Sequence, residues 1–214
     1  REETGSVPNP SELKQAIEIL ELRAYDSQRI ELANRRRGNS DAAFIDLGDP
    51  EWKMITVTPK GWEIGQHPGP LFYRTKHQLP LGEPISGGDP EELFEFVPVD
   101  TDQDKLIILT WVTAGFCPAI PNPILLFVGQ QGSAKTTRSR RLRSLLVPSV
   151  TPVLGDIEMS DLFLTFQHHA VPCFENVSRF SRREADMFCR AVTGNGVDRR
   201  QLYTDSEQKL YSFR

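Results

Sequence analysis

Residues 124–128, "ILLFV", run into "GQQGSAKTT" and then into "RSRRLRSLL", and no other stretch constrains the fold so tightly. Five consecutive apolar residues have the length of a buried strand. Gly129 and Gly132 punctuate the loop that follows, and the arginine- and leucine-rich segment beyond Lys135 and Thr136 reads as a helix. A strand that enters a helix through a glycine loop opens a β–α unit. Such units build parallel sheets covered on both faces by helices.

The remaining chain fits an α/β reading. In "PSELKQAIEILELRAYD" the apolar residues Leu13, Ile17, Leu20 and Ala24 recur at helical spacing, with Ser11 as N-cap after Pro10. Residues 29–73 change period. "IELANRR", "AAFIDLG", "MITVTP", "GWEIG" and "LFYRT" are short, rich in β-branched and aromatic residues, and separated by turn formers, which indicates a small, mostly antiparallel β unit. "LPLGEPISGGDP" is a linker-like break. Helices are expected over "DPEELFEFV", "DKLIILTWVTAGF" (buried), "EMSDLFLTFQH" and "SRREADMFCRAV". "AVPCFENV" is expected as a second buried strand and "RRQLYTDSEQKLYSF" as a hairpin. This organisation divides into an N-terminal accessory helix and β region, 1–88, and a second region, 89–214.

The loop approaches the pattern G-x-x-x-x-G-K-[ST]. Gly129, Lys135 and Thr136 fit it, Ala134 replaces the second glycine, and Gly132 adds one inside the loop. Backbone N–H groups in such a loop surround anionic phosphates, and the helix that follows adds the partial positive charge of its first turn. The binding set is therefore Gly129, Gln130, Gln131, Gly132, Ser133, Ala134, Lys135, Thr136 and Thr137. Lys135 is expected to pair with the β- and γ-phosphates of ATP, and the Thr136 hydroxyl to bind Mg²⁺. A methyl group at Ala134 costs little in a helical backbone but impairs the site if the position needs positive φ. The alternative is a glycine-rich turn carrying a surface lysine.

Such a site needs a carboxylate at the end of a neighbouring strand. In "HHAVPCFENVSRF", Glu175 follows apolar Val171, Cys173 and Phe174, forty residues beyond Lys135. Glu175 is expected to assist Mg²⁺ and activate water, and Asn176 to orient water or a phosphate oxygen. His168 and His169 read as polar surface residues.

"GQQGSAKTT" matches the G-x-x-G-x-[GA]-K-[ST] loop of AAA+ ATPases and superfamily 3 helicases, and "CFENV" resembles the superfamily 3 Walker B strand. "FCRAVTGNGVDRRQLYTDSEQKLYSF" is similar to the segment after Walker B in phage and virus primase-helicases. The likeness extends over 123–213 and, more weakly, over 41–82. It implies a P-loop NTPase fold and an ATP-hydrolysing DNA helicase or translocase that assembles as a homo-oligomer, a hexameric ring. It also implies replication of a phage, plasmid or integrated element, with a primase domain or partner. The hairpin would line the ring channel, with Arg199 and Arg200 on the phosphates of single-stranded DNA and Lys209 a weaker contact. Tyr203 beside them suits base stacking. Gly194 and Gly196 would allow the tight turn. Asn176 departs from the usual second acid of the superfamily. Arg179, Arg182 and Arg183 are the basic residues just beyond Walker B that could serve as arginine finger.

Two other readings compete: an ATP-binding module that regulates assembly without motor activity, and another P-loop phosphotransferase. Arg138, Arg140, Arg141 and Arg143 spread around their helix, which suits a solvated face or a subunit contact better than DNA. Arg35, Arg36 and Arg37 read as a surface turn, with nucleic-acid contact as the alternative. The net charge of −4 argues against a protein that coats nucleic acid along its whole surface, while leaving room for a local basic track. Cys117, Cys173 and Cys189 lack metal-ligand spacing and read as buried free thiols. The longest apolar stretch, "LIILTWVTAGF", is too short to span a bilayer, so a soluble, cytoplasmic protein without membrane partners is expected. The chain begins with Arg1 and ends in "YSFR", and is read as a piece of a longer protein.

Overall fold

The computed structural model describes residues 9–28, 30–155, 158–194, 197–200 and 208–211. The chain divides into two compact units, Arg1–Glu31 and Leu32–Arg214.

Among the described residues the first unit holds the helix α1 (Pro10–Tyr25). Asn9, rather than Ser11, caps it. Its side chain accepts from the Glu12 amide at 2.9 Å, and the Glu12 carboxylate accepts from the Asn9 amide at 2.9 Å. Pro10 explains the shift by two residues, because proline is favoured at the first helical position, where no N–H is needed.

The second unit begins with a β region. β1 (Leu32–Asn34), β2 (Arg36–Gly38), β3 (Ala43–Asp46), β4 (Met54–Thr58), β5 (Gly61–Gly65) and β6 (Leu71–Tyr73) follow in order. β2, β3, β4 and β5 form an antiparallel meander, and β1 and β6 pair in parallel. Ala33, Met54 and Phe72 form its apolar centre, with Phe44 packed on them. The expected surface turn is corrected: Arg36 and Arg37 lie in β2, and Arg35 and Arg36 turn inward. Arg35 is 1% exposed and donates to the Asp46 carbonyl at 3.0 Å and the Leu79 carbonyl. Arg36 reaches the Gly115 carbonyl, and burial pulls its pKa down to about 10. These guanidiniums saturate interior carbonyls and are not available to nucleic acid. Asp46, 2% exposed, takes a two-toothed contact from Arg74 at 2.9 and 2.6 Å, which meets the requirement that a buried carboxylate be paired.

A short 3-10 turn (Pro90–Glu92) leads into α2 (Leu93–Phe96) and then α3 (Asp102–Phe116), capped by Thr101. α3 is less buried than its composition suggests: Ile108, Ala114 and Gly115 are buried, whereas Leu106 and Ile107 are exposed. After α4 (Lys135–Leu146) come α5 (Met159–His168), α6 (Arg182–Thr193), and the antiparallel pair β7 (Val197–Arg200) and β8 (Gln208–Tyr211), the expected hairpin. Val97, Ile108 and Leu142 join α3 to α4, and Leu125 and Phe127 pack on them. The chain is thus α/β. Among the described residues no helix is long and apolar enough to cross a membrane.

Residues 124–128 do not form a ladder-paired, doubly buried strand. They alternate instead: Leu125 and Phe127 face the helices while Ile124, Leu126 and Val128 are exposed, Val128 by 86%. Packing on one face alone holds this segment. Residues 171–177 likewise contribute one parallel bridge, Phe174 with Leu154, in place of a buried strand. The cysteines are free, as expected, but Cys117 and Cys189 are exposed and Cys173 is half-buried.

Candidate functional site

The loop after residue 128 is held at both ends. Leu125 and Phe127 anchor its entry on the helical core, and Leu142 of α4 belongs to that same core. Between these anchors the backbone turns left-handed twice, at Gly132 (φ +84) and at Ala134 (φ +58). Gly132 faces open space, so nothing but its φ demands glycine there. Ala134 shows that the position does require positive φ, the costly branch of the sequence expectation. An L-residue there costs roughly 1–2 kcal/mol. Ala134→Gly is expected to stabilise the chain by about 0.5–1 kcal/mol once the added freedom of the unfolded glycine is subtracted. Urea denaturation measures it, and a destabilised variant would contradict the strain account.

α4 starts without a capping side chain, as α2 and α5 do, whereas α1, α3 and α6 are capped by Asn9, Thr101 and Ser181; α4 differs from α2 and α5 in having no acid in its first turn. Its first residue is Lys135. The first N–H groups of a helix have no intrahelical partner, and a cation at this end opposes the helix dipole. The Lys135 ammonium turns back onto the loop, donating to the Gly129 carbonyl at 2.9 Å, the Gln130 carbonyl at 2.6 Å and the Ser133 hydroxyl at 3.3 Å. Strained Ala134, the missing cap and the misplaced cation are three local costs at one loop, and a bound anion would offset the latter two. Ser133, Lys135 and Thr136 are half-buried; Gly129, Gln130, Gln131, Gly132, Ala134 and Thr137 are exposed.

Glu175 is positioned by its neighbours. Its amide donates to the Leu154 carbonyl at 3.0 Å, and the Leu154 amide donates to the Cys173 carbonyl at 2.8 Å. Phe174 packs edge-on against Phe166 of α5 and Phe188 of α6, with ring centres 6.3 and 5.4 Å away. The Cys173 thiol lies against α4: burial raises its pKa, while Arg143, Ser139 and Arg140 pull it down and the nearby Glu175 pushes it up again. Glu175, half-buried, therefore ends a segment laid beside the helix that Lys135 begins. Exposed Asn176 follows in left-handed backbone, φ +59, which asparagine tolerates better than most residues.

The arginine cluster is divided: Arg140 and Arg141 are exposed, as expected, Arg138 is half-buried, and Arg143 turns inward. Arg143 is 2% exposed and donates to the Thr151 carbonyl at 2.5 Å and to His169 Nδ1 at 2.9 Å; Arg141 reaches the Phe96 carbonyl. His169 is half-buried, not a surface residue, and stacks on His77 with ring centres 4.2 Å apart. No sequence signal announces this contact, which spans ninety-odd residues between the β region and α5. Burial, then the charges of His77, Arg143 and His168, lower the His169 pKa to about 4. An unfolded histidine titrates near 6.5. Between those values the unfolded chain binds more protons than the folded one, so stability falls as pH drops from about 6.5 to 4. Replacing His169 with Gln should flatten this acid limb in thermal melts; an unaltered slope assigns it to other groups.

In the hairpin, Arg199 stands directly across from Lys209 in the strand register, and Arg200 across from Gln208. Tyr203 and Gly196 lie outside the described residues. Gly194 ends α6 at φ +73. Arg179, Arg182 and Arg183 are exposed around the start of α6. Among the described residues no group of three or more His, Cys, Asp or Glu side chains could hold a metal ion. Comparison with known proteins finds no matching family model, curated protein or solved structure.

Proposed function

We propose that the chain is an ATP-binding P-loop module of the superfamily 3 and AAA+ helicase type, hydrolysing ATP to move on single-stranded DNA. The observation that carries this reading is the uncapped start of α4, with the Lys135 ammonium folded onto the Gly129 and Gln130 carbonyls and no acid in the first turn. A triphosphate tail would supply the missing acceptors and draw the ammonium off the loop. The Thr136 hydroxyl follows Lys135 in the first turn of the helix, where a metal ligand is needed, while left-handed Ala134 is a strain that the nucleotide would have to tolerate. Mg²⁺ bound there would neutralise charge between the β- and γ-phosphates. Glu175 accepts the proton of the attacking water, and Lys135 holds the γ-phosphoryl oxygens as charge develops.

The hairpin supports the DNA part. The strand register sets Arg199 opposite Lys209, two basic residues at one ladder position, a pattern that suits a polyanion. In the full assembly, a homo-oligomeric ring would gather such hairpins around one strand. Single-stranded DNA should stimulate ATP hydrolysis. Replacing Arg199 and Arg200 together with alanine should make the log–log salt dependence of DNA binding shallower by roughly 1.4, about 0.7 for each phosphate that is no longer neutralised. An unchanged slope removes the hairpin from the DNA path. A second reading, ATP binding that regulates assembly without turnover, draws on exposed Asn176 in place of a second acid. ATP that binds without being hydrolysed, with or without DNA, would favour it.

A further inference from the structure

We propose that α1 is a self-association helix, its Leu13–Ile17–Leu20–Ala24 seam pairing antiparallel with the same seam of a second copy of this chain. The spacing is four, three, four, the alternation of a two-stranded coiled coil. Leu13, Ile17 and Leu20 are all exposed, and no residue of α1 is buried. A seam of large aliphatic side chains in water is unfavourable, and the hydrophobic effect favours covering it. The helix is prepared for this by its Asn9–Glu12 capping box, since uncapped helices of this length are marginal in water.

Charge chooses the orientation. With Leu13 and Leu20 at d positions and Ile17 and Ala24 at a positions, the antiparallel layers set Leu13 against Ala24 and Ile17 against Leu20. The flanking e positions are Lys14 and Glu21. Antiparallel pairing brings Lys14 of one copy beside Glu21 of the other, twice by symmetry. In a parallel pair Glu21 would face Ala16, and no charged pair would form. Within one helix Lys14 reaches Glu18 at 3.9 Å, both highly exposed, an interaction weak enough to let Lys14 turn outward. Ile19 and Leu22 lie outside the seam. The pairing is two-fold and closes on two copies, so it differs from the cyclic interface of a ring and does not rest on the proposed ATPase.

The test is sedimentation of the whole chain across a concentration series, without nucleotide. A reversible monomer–dimer equilibrium is expected. Leu20→Glu should abolish the dimer and Ile19→Glu should leave it intact. Lys14→Glu or Glu21→Lys alone should weaken it, and the two together should restore it. A chain monomeric at every concentration, a trimer, or a dimer abolished by Ile19→Glu but not by Leu20→Glu overturns the seam. A dimer indifferent to the charge exchange overturns the antiparallel orientation.

Discussion

Lys135→Ala is expected to abolish ATP turnover while leaving the fold intact. In the free chain the ammonium donates to loop oxygens at Gly129, Gln130 and Ser133. Its removal also takes a cation from a helix N-terminus, where it is unfavourable by about 0.3–1 kcal/mol. The thermal midpoint should therefore hold or rise slightly. With ATP the balance reverses. Two charge-assisted hydrogen bonds to phosphate oxygens, at roughly 1.5–3 kcal/mol each, amount to a loss of about 10²- to 10⁴-fold in kcat/KM. Steady-state phosphate release and a melt on the same preparation separate the two effects. A variant that hydrolyses ATP like the parent would show that the loop is only a turn.

Glu175→Gln should lower kcat by about 10²- to 10⁴-fold, the range for removal of a general base, with nucleotide affinity nearly unchanged. The exchange keeps size and the backbone bond from the Glu175 amide to Leu154, and Phe174 stays packed against Phe166 and Phe188. Loss of turnover with retained binding is the signature sought. Equal loss of both would make Glu175 a structural residue, and no loss of either would move the base elsewhere. Asn176→Asp complements this test. A second acid beside Glu175 should raise turnover if Glu175 alone is carrying both metal and water.

Much of the organisation was legible because it depends on neighbours in the chain. The switch from helical to alternating period between α1 and the β region, the helices α3 to α6 and the β7–β8 hairpin all follow from local pattern and turn chemistry. The cap of α1 was misplaced by two residues for an equally local reason, the preference of Pro10 for the first helical position. Burial was less legible. "ILLFV" reads as a strand buried on both faces, but a five-residue apolar run does not reveal how many of its faces will meet a partner. Here Leu125 and Phe127 meet the α3–α4 core and Leu126 and Val128 do not.

From its order of residues alone the chain settled where the glycine loop lies, that Lys135 begins a helix and that Glu175 ends an apolar run, because propensity and spacing act over a few residues. Contacts distant in sequence decided the rest: that Ala134 sits left-handed, that Arg35, Arg36 and Arg143 turn inward to carbonyls and a histidine, and that His169 stays neutral against His77. A guanidinium is placed by whichever acceptors the folded chain brings to it. For Arg36 that acceptor, the Gly115 carbonyl, is 79 residues away, beyond the reach of any local pattern.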